Sequence, residues 1–267
     1  MKIWSVSNQK GGVGKTTTVI TLGGLLTSWG FRTLLVDLDP HGSLTSYFKM
    51  NPDEVESGVY NLFRDASEKK KHIDPEVYIA KTEFDGLAVL PAATAIATLD
   101  RQVAQMGGMG LVIATALAKL KDRYDYVIID SPPMLGVLMI NALAACDHLI
   151  IPVLAEFLAL KGLDRMVHTI NMVFHSRKTP PKFTIVPTMY DKRTKAARES
   201  LLALLQQYPG NVWQAVIPVD TKVRDASRAG VPLSLFDANA KAAEAYSDLL
   251  ELLLLDKASD KTLANQA

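Results

Sequence analysis

The chain has 267 residues, a formal net charge of +1, and 48% hydrophobic against 21% charged residues. This composition excludes an intrinsically disordered chain, and the near-zero net charge excludes a global attraction to nucleic acid or anionic lipid. A lone cysteine, Cys146, excludes an intramolecular disulfide, and no uncharged apolar run reaches the roughly 18 residues that predict a membrane-spanning helix. We therefore expect a cytoplasmic protein with no membrane insertion.

Short apolar runs alternate with longer amphipathic stretches along the chain. The short runs predict strands at residues 2–7, 33–37, 87–91, 126–130, 148–153, 183–187 and 213–217. The longer stretches predict helices at residues 16–29, 108–121, 137–145, 163–174, 196–207, 223–229 and 241–255. Residues 49–85 are polar and are predicted to be irregular, with the charged run at 68–71 exposed to solvent.

The predicted strands are apolar throughout and separated by helices, which is typical of a parallel sheet covered on both faces. We therefore predict the α/β class, with one doubly wound domain over residues 1–256 that has a mostly parallel sheet and helices on both faces. Residues 257–267 are predicted to form a polar C-terminal tail. Ligands of such sheets bind at the carboxyl ends of strands, where the polar segments 10–17, 37–43 and 130–136 all lie.

A glycine-rich segment joins the first predicted strand to the first predicted helix. Gly11, Gly12 and Gly14 allow a sharp turn whose N–H groups can surround an anion, and the following helix directs its positive end at the same point. Lys15 can reach the β- and γ-phosphates of a nucleotide, and the Thr16 hydroxyl can bind Mg²⁺. The segment predicts a phosphate-binding loop made of Gly11, Gly12, Val13, Gly14, Lys15, Thr16 and Thr17.

Carboxylates follow two further strands. Asp130 ends an apolar strand, where it would hold Mg²⁺ through a bound water. Its alternative role, capping the next helix, is weakened by the prolines Pro132 and Pro133 that follow at once. Asp37 and Asp39 lie two residues apart, so both side chains point the same way from an extended chain.

Residues 10–17, Lys-Gly-Gly-Val-Gly-Lys-Thr-Thr, resemble the deviant Walker A motif of the ParA/MinD family of P-loop ATPases. In that family a second lysine, here Lys10, reaches across a dimer to the partner's nucleotide. The resemblance implies ATP or ADP and Mg²⁺ as cofactors, and an ATP-dependent homodimer that hydrolysis releases. The segment around Asp37 and Asp39 resembles the family's Walker A′ segment, which implies that Asp39 orients the attacking water and Asp37 supports the Mg²⁺ shell.

The implied catalytic residues are Lys10, Lys15 and Asp39, and the implied metal-site residues are Thr16, Asp37 and Asp130. His41 stands where the family usually has glutamine. We expect His41 to take that glutamine's place or to face solvent, in preference to acting as a general base. Residues 188–194 and 217–224 resemble two ParA/Soj segments that border the adenine, here through Met189 and Pro218. The resemblance covers essentially the whole chain, although Thr188 and Val219 replace the asparagine and arginine of those segments.

Two basic clusters occupy the later part of the chain. The first contains Lys192, Arg193, Lys195 and Arg198, and the second contains Lys222, Arg224 and Arg228. In ParA relatives such residues bind DNA without sequence preference, and Lys and Arg contacts to phosphates would supply that affinity. The resemblance thus suggests non-specific DNA binding by Lys192, Arg193, Lys195, Arg224 and Arg228. Ordinary solvated helix charge is the alternative.

The resemblance favours a switch ATPase, slow and stimulated by a partner, that positions or segregates a cargo. The cargo would be a plasmid or chromosome, with a centromere-binding activator at the nucleoid, or a chemotaxis array, with a hub protein at the cell pole. Residues 39–45 resemble the ParC-type branch, which favours arrays. The alternatives are an ATP-dependent synthetase of the dethiobiotin or cobyrinate class and a MinD-like membrane-associated ATPase. The run at 249–256 nearly lacks the basic residues that a membrane-binding end needs.

Overall fold

The computed structural model describes residues 1–103, 106, 108–175 and 180–264. Its strands form a single sheet within this part of the chain. The strands are β1 (Lys2–Val6), β2 (Thr33–Asp37), β3 (Ala80–Lys81), β4 (Leu87–Leu90), β5 (Tyr126–Asp130), β6 (His148–Leu154) and β7 (Lys182–Thr188). They lie side by side in the order β3-β4-β2-β5-β1-β6-β7.

The helices follow the strands along the chain. They are α1 (Lys15–Ser28), α2 (Ser43–Tyr47), α3 (Val59–Ser67), α4 (Ile96–Val103), α5 (Val112–Lys119), α6 (Val137–Ala145), α7 (Phe157–Phe174), α8 (Lys195–Gln207), α9 (Lys222–Ala229), α10 (Leu233–Phe236) and α11 (Lys241–Ala264). Short 3-10 turns occupy Pro75–Tyr78 and Met109–Leu111. Within the described residues, no helix has the length and hydropathy needed to cross a bilayer.

Strand pairing in the sheet is parallel except at one edge, where the two-residue β3 runs antiparallel to β4. The central strand β5 pairs with both β1 and β2, and this register sets Asp130 beside Val6 on one side and Asp37 on the other. The carboxyl ends of these three inner strands therefore bring two carboxylates and the start of the glycine-rich loop close together.

Side chains alternate between the two faces of the sheet, and both faces are covered by helices. Leu35 and Ile128 pack with residues of α1 and α11 on one face. Leu34 and Val127 pack with residues of α3, α5 and α6 on the other. Strands buried on both faces require apolar residues at every position, which is the pattern that the sequence shows. The predicted fold, one doubly wound α/β domain with a mostly parallel sheet, is confirmed.

The strand predicted at 213–217 is wrong. Trp213 N–H donates to the Ile185 carbonyl at 2.9 Å, and Ile217 N–H donates to the Pro187 carbonyl at 2.8 Å, but no continuous ladder forms. The segment is apolar because its side chains, among them the buried Trp213, complete the core beside β7. Burial of an apolar run does not require strand geometry, and Pro187 has no N–H to donate to a ladder.

The irregular region predicted at 49–85 is also wrong, since it contains α3, the 3-10 turn Pro75–Tyr78 and β3. Helix α3 buries one face, through Val59, Leu62 and Phe63. The buried Asp65 lies in the same helix, so the apolar period is hard to recognise in the sequence. Helix α7 begins at Phe157, six positions before the predicted start at 163. The polar tail predicted at 257–267 begins inside α11, which runs to Ala264. Residues 265–267 lie outside the described part of the chain. The domain boundary at 256 stays a prediction.

Candidate nucleotide-binding site

The glycine-rich loop between β1 and α1 has the backbone of a phosphate cradle. Gly12 and Gly14 adopt φ values of 73° and 87°, in the left-handed region that favours glycine. Gly14 directly precedes α1, so the free N–H groups at the start of that helix face the loop. The Thr188 hydroxyl donates to the Val13 carbonyl at 2.9 Å and fixes the loop to the end of β7. This arrangement suits a bound anion.

The two lysines of the loop point to different places. The Lys15 ammonium lies 3.4 Å from the Lys10 carbonyl oxygen and is largely buried within the loop. Burial lowers the pKa of Lys15, and the nearby carboxylates of Asp130 and Asp39 oppose that shift. The Lys10 ammonium instead forms an ion pair with Glu156, the residue before α7. Lys15 therefore serves its own cradle, whereas Lys10 points out of it.

Asp130, at the carboxyl end of β5, is buried in the centre of the site. Its Oδ2 accepts a hydrogen bond from the Thr16 hydroxyl at 2.6 Å, and its Oδ1 is buried with no partner among the described residues. Burial raises the pKa of Asp130 well above its usual value, and the neighbouring Asp37 raises it further. A carboxylate with an unused oxygen, beside a threonine hydroxyl and a phosphate cradle, fits a hydrated divalent cation.

The described residues contain no cluster of three or more His, Cys, Asp or Glu side chains that could hold a metal ion alone. A P-loop magnesium site does not need such a cluster, because nucleotide phosphates, water and one hydroxyl supply most of its oxygen ligands. Thr16 and Asp130 could therefore hold such an ion together with a nucleotide.

Asp37 is fully buried, and both of its oxygens already accept hydrogen bonds. Oδ2 accepts from the Thr45 N–H at 2.9 Å and the Thr45 hydroxyl at 2.7 Å, and Oδ1 accepts from the Asp39 N–H at 3.1 Å. Burial raises the pKa of Asp37 to about 6, against the effect of these hydrogen bonds. Asp37 thus holds the loop that carries Asp39, and its predicted place in a magnesium shell stays a prediction.

Asp39 faces the loop from the end of β2, and its side chain is 14% exposed. Its Oδ1 accepts hydrogen bonds from the His41 N–H at 3.0 Å and the His41 ring Nδ1 at 2.8 Å. Sequence reasoning expected His41 to replace a glutamine or face solvent. The ring is 81% exposed, yet Nδ1 is turned back onto Asp39.

A cavity of about 300 Å³ lies beside the cradle. Its lining brings Met189 and Pro218, predicted to border the base, together with Gly14 and Thr17. The Tyr190 N–H donates to the Ile217 carbonyl at 3.0 Å, which joins the two predicted segments. The remaining lining residues are Thr188, Ile217, Val219, Asp220, Val223, Arg224 and Tyr246. The cavity is of a size and polarity that suits a nucleoside base.

Three residues of this region were missed by sequence reasoning. Asn8 donates to the Pro152 carbonyl at 2.7 Å and accepts from the Lys10 N–H at 3.0 Å, which anchors the loop to β6. The Tyr246 hydroxyl lies 2.9 Å from the Thr18 hydroxyl and closes the cavity from α11. Glu156 pairs with Lys10. Asn8 adjoins the glycine-rich motif and could have been predicted from it. No sequence motif lies around Tyr246 or Glu156 that would predict their contacts.

The basic clusters are exposed, but several of their charges are paired with acids. Arg193 forms a bidentate pair with Asp191, donating from Nε to Oδ1 and from Nη2 to Oδ2, and Lys195 lies 3.4 Å from Glu199. Lys192 and Arg228 are exposed and have no acidic partner among the described residues. Arg224 lines the cavity described above rather than only a surface patch.

Residues 1–185 match the family model described as AAA domain. The sporulation initiation inhibitor protein Soj of Bacillus subtilis is 36% identical over 249 residues, which are 93% of this chain and 96% of Soj. The chromosome partitioning protein ParA of Myxococcus xanthus is 34% identical over 246 residues, which are 92% of this chain and 85% of that protein.

A crystal structure of cobyrinic acid a,c-diamide synthase from Mycobacterium smegmatis, with bound ADP and magnesium, superposes with a TM-score of 0.80. It is 34% identical in sequence, and the match covers 95% of this chain and 94% of that chain. These three matches cover 92–95% of this chain and 85–96% of the compared proteins.

Proposed function

Because the chain belongs to the ParA/MinD family of P-loop ATPases, we propose that it is a dimerising switch that binds and hydrolyses ATP with magnesium. In this proposal the ATP-bound homodimer is the assembled state, and hydrolysis releases the two chains. The loss of a γ-phosphate is a recognised way to collapse such a state.

The nucleotide part of the proposal rests on the cradle and the cavity beside it. The N–H groups around Gly12 and Gly14 would bind phosphates, Lys15 would neutralise them, and the Met189–Pro218 cavity would take the base. Thr16 and Asp130 would hold magnesium, which supplies charge neutralisation at the transferred phosphoryl group. A relative with 34% identity was crystallised with ADP and magnesium, which supports this choice of cofactors.

The direction of Lys10 carries the dimer part of the proposal. A loop that already places Lys15 in its own cradle gains little from a second lysine there, and the Lys10 ammonium extends outward to Glu156. A partly exposed cation beside the cradle can offset charge on the nucleotide of a second copy. Asp39, also at the mouth of the site, would orient the attacking water.

The cargo proposed is a chromosome or plasmid, with an activating partner protein of the centromere-binding kind. Two relatives that align along more than nine-tenths of this chain are Soj and a chromosome partitioning protein, which favours partition over chemotaxis arrays. The ParC-type resemblance at residues 39–45 and a polar location stay predictions. Non-specific DNA binding, with a nucleoid location, belongs to the same proposal.

A second candidate function is an ATP-dependent amide synthase. It is favoured by the 34% identity to cobyrinic acid a,c-diamide synthase, close to the 36% identity to Soj. The two functions differ in what turnover needs. A synthase couples ATP consumption to a carboxylate acceptor and a nitrogen donor, whereas a switch hydrolyses ATP without either.

The proposed switch can be tested with the purified chain by size-exclusion chromatography with ATP and magnesium. Asp39→Ala is expected to bind ATP and accumulate as a dimer, because the water is no longer oriented. Lys15→Ala is the control that is expected to lose nucleotide binding and to remain monomeric. Asp39→Ala eluting as a monomer with bound ATP, or turning over ATP as the wild type does, would contradict the switch. ATP turnover that appears only with a carboxylate acceptor and a nitrogen donor would favour the synthase.

A further inference from the structure

A tight turn places the His41 side chain against Asp39. The Gly42 N–H donates to the Asp39 carbonyl at 2.8 Å, which closes a four-residue turn with Pro40 at its second position. Gly42 adopts φ 61°, and a Cβ there would lie 2.4 Å from the Pro52 ring. The turn can therefore be closed only by glycine, and it returns the His41 ring to the Asp39 carboxylate.

Both hydrogen bonds from His41 fall on the same oxygen. The His41 N–H and Nδ1 lie 3.0 and 2.8 Å from Asp39 Oδ1, and the described residues give Asp39 Oδ2 no hydrogen bond. A carboxylate oxygen only accepts, so Nδ1 carries the proton in this contact and Nε2 faces solvent. One oxygen of Asp39 is thus fixed by two donors while the other stays available.

We propose that His41 is a positioning residue that fixes the Asp39 side chain so that Oδ2 can orient the attacking water. This inference rests on the proposed function and names a further determinant of turnover at the same site. A water-orienting carboxylate acts through its direction, and a small misplacement lowers turnover without changing substrate binding. His41 is not among the residues that line the cavity, and the hydrogen bond from Lys15 within the phosphate-binding loop does not involve it.

The matched pair of variants is His41→Asn and His41→Leu, measured beside the wild type. Asparagine places a side-chain N–H donor near the position of Nδ1, and leucine has a similar size with no donor. The backbone N–H bond to Asp39 remains in both, so the expected effect of losing the ring donor is partial. His41→Leu is expected to lower kcat about fivefold, as for the loss of one hydrogen bond. KM and the affinity for a fluorescent ATP analogue are expected to stay unchanged.

His41→Asn is expected to restore most of the turnover that His41→Leu loses, a rescue that a purely structural role does not predict. The positioning proposal is overturned if His41→Leu turns over ATP like the wild type, or if both variants are equally impaired. A change in KM that matches the change in kcat would also overturn it. Wild-type turnover and ATP-dependent dimerisation are measured first: their absence defeats the proposed function, whereas their presence with an unaffected leucine variant defeats only the role of His41.

Discussion

At the scale of single residues, the site contains two buried carboxylates whose ionisation is opposed by desolvation. Asp130 and Asp37 lie side by side on β5 and β2, and burial raises the pKa of each. In the folded chain they therefore hold protons at pH values where the unfolded chain has released them. Stability falls as pH rises through these raised pKa values, because the folded state then binds more protons than the unfolded one.

We predict that Asp130→Asn stabilises the chain without ligand at about pH 8, by roughly 2–4 °C in Tm, since it removes a desolvated charge but keeps the shape and the Thr16 contact. The gain should shrink as the pH is lowered, because burial raises the pKa of Asp130 and the protonated wild-type carboxyl, like an amide, carries no charge. Thermal unfolding at this pH and at a lower pH measures it. Asp122→Asn, at an exposed carboxylate, is the control. An equal or lower Tm for Asp130→Asn at the higher pH would refute this.

Residues within contiguous motifs could be predicted from the sequence, and residues brought in from a distance could not. Gly12, Gly14 and Lys15 share one turn whose chemistry is local, so their grouping follows from their spacing. Tyr246 reaches Thr18 across 228 positions, and only the packing of α11 on α1 brings them together. Glu156 meets Lys10 in the same way, across 146 positions.

At the scale of secondary structure, α1 determines where the cradle lies because it begins at the loop. Gly24, within α1, lies against α10: a Cβ on Gly24 would lie 2.5 Å from Pro232 Cβ and 2.6 Å from Ser234 Oγ. Proline cannot turn aside as a flexible side chain can. Gly24 therefore permits the close approach of α1 and α10, although glycine weakens a helix interior.

We predict that Gly24→Ala destabilises the chain by about 1–3 kcal/mol, because overpacking outweighs the gain in helix propensity. Gly162→Ala is the matched control, since Gly162 lies inside α7 and its Cβ would meet nothing within 4 Å. That control should gain about 0.5–1 kcal/mol. Urea unfolding of both variants provides the comparison. A Gly24→Ala chain as stable as the control would disprove the close packing.

The segments that lead into the basic helices α8 and α9 are joined by a bridge between Tyr190 and Pro218. We predict that Lys192→Glu with Arg228→Glu weakens ATP-dependent DNA binding at least about tenfold, since phosphate contacts by unpaired cations carry the affinity. Arg224 is left intact because it lines the cavity. Gel shift with ATP at low salt is the measurement.

Lys121→Glu with Arg123→Glu makes the same charge change near the amino end of β5, away from the site, and should leave DNA binding intact. Equal loss in both double variants would show that net charge alone drives binding. No ATP-dependent shift of the wild-type chain would remove DNA from the proposal.

The strands could be predicted from the sequence wherever burial on both faces makes a run apolar throughout, as in β2 and β5. The segment at 213–217 shows the limit of that rule. It is apolar because it completes the core beside β7, but it makes only scattered backbone hydrogen bonds. Helix α3 was not predicted because fewer than half of its residues are buried, so the segment is mostly polar.

At the scale of the whole molecule, the proposed switch depends on how two copies meet. Hydrophobic periodicity reports burial within one chain, so it cannot identify which exposed side chains contact a second copy. The prediction of a dimer rests instead on the resemblance to the ParA/MinD family, in which a second lysine, here Lys10, reaches the partner's nucleotide. In the structure Lys10 is held by Glu156 beside the cradle. In the proposed dimer it would exchange that carboxylate for the partner's nucleotide.

A mixture of Asp39→Ala chains and Lys10→Ala chains is the decisive test of the proposed dimer switch. Each chain alone is expected to be inactive. If Lys10 acts across the dimer, the mixed dimer has one site with an intact Asp39 and the partner's intact Lys10. Mixed dimers isolated with two different tags should then recover about half of the wild-type ATP turnover, because one of two sites is complete. Isolated mixed dimers that remain inactive would contradict the dimer switch and favour a plain ATP-dependent enzyme.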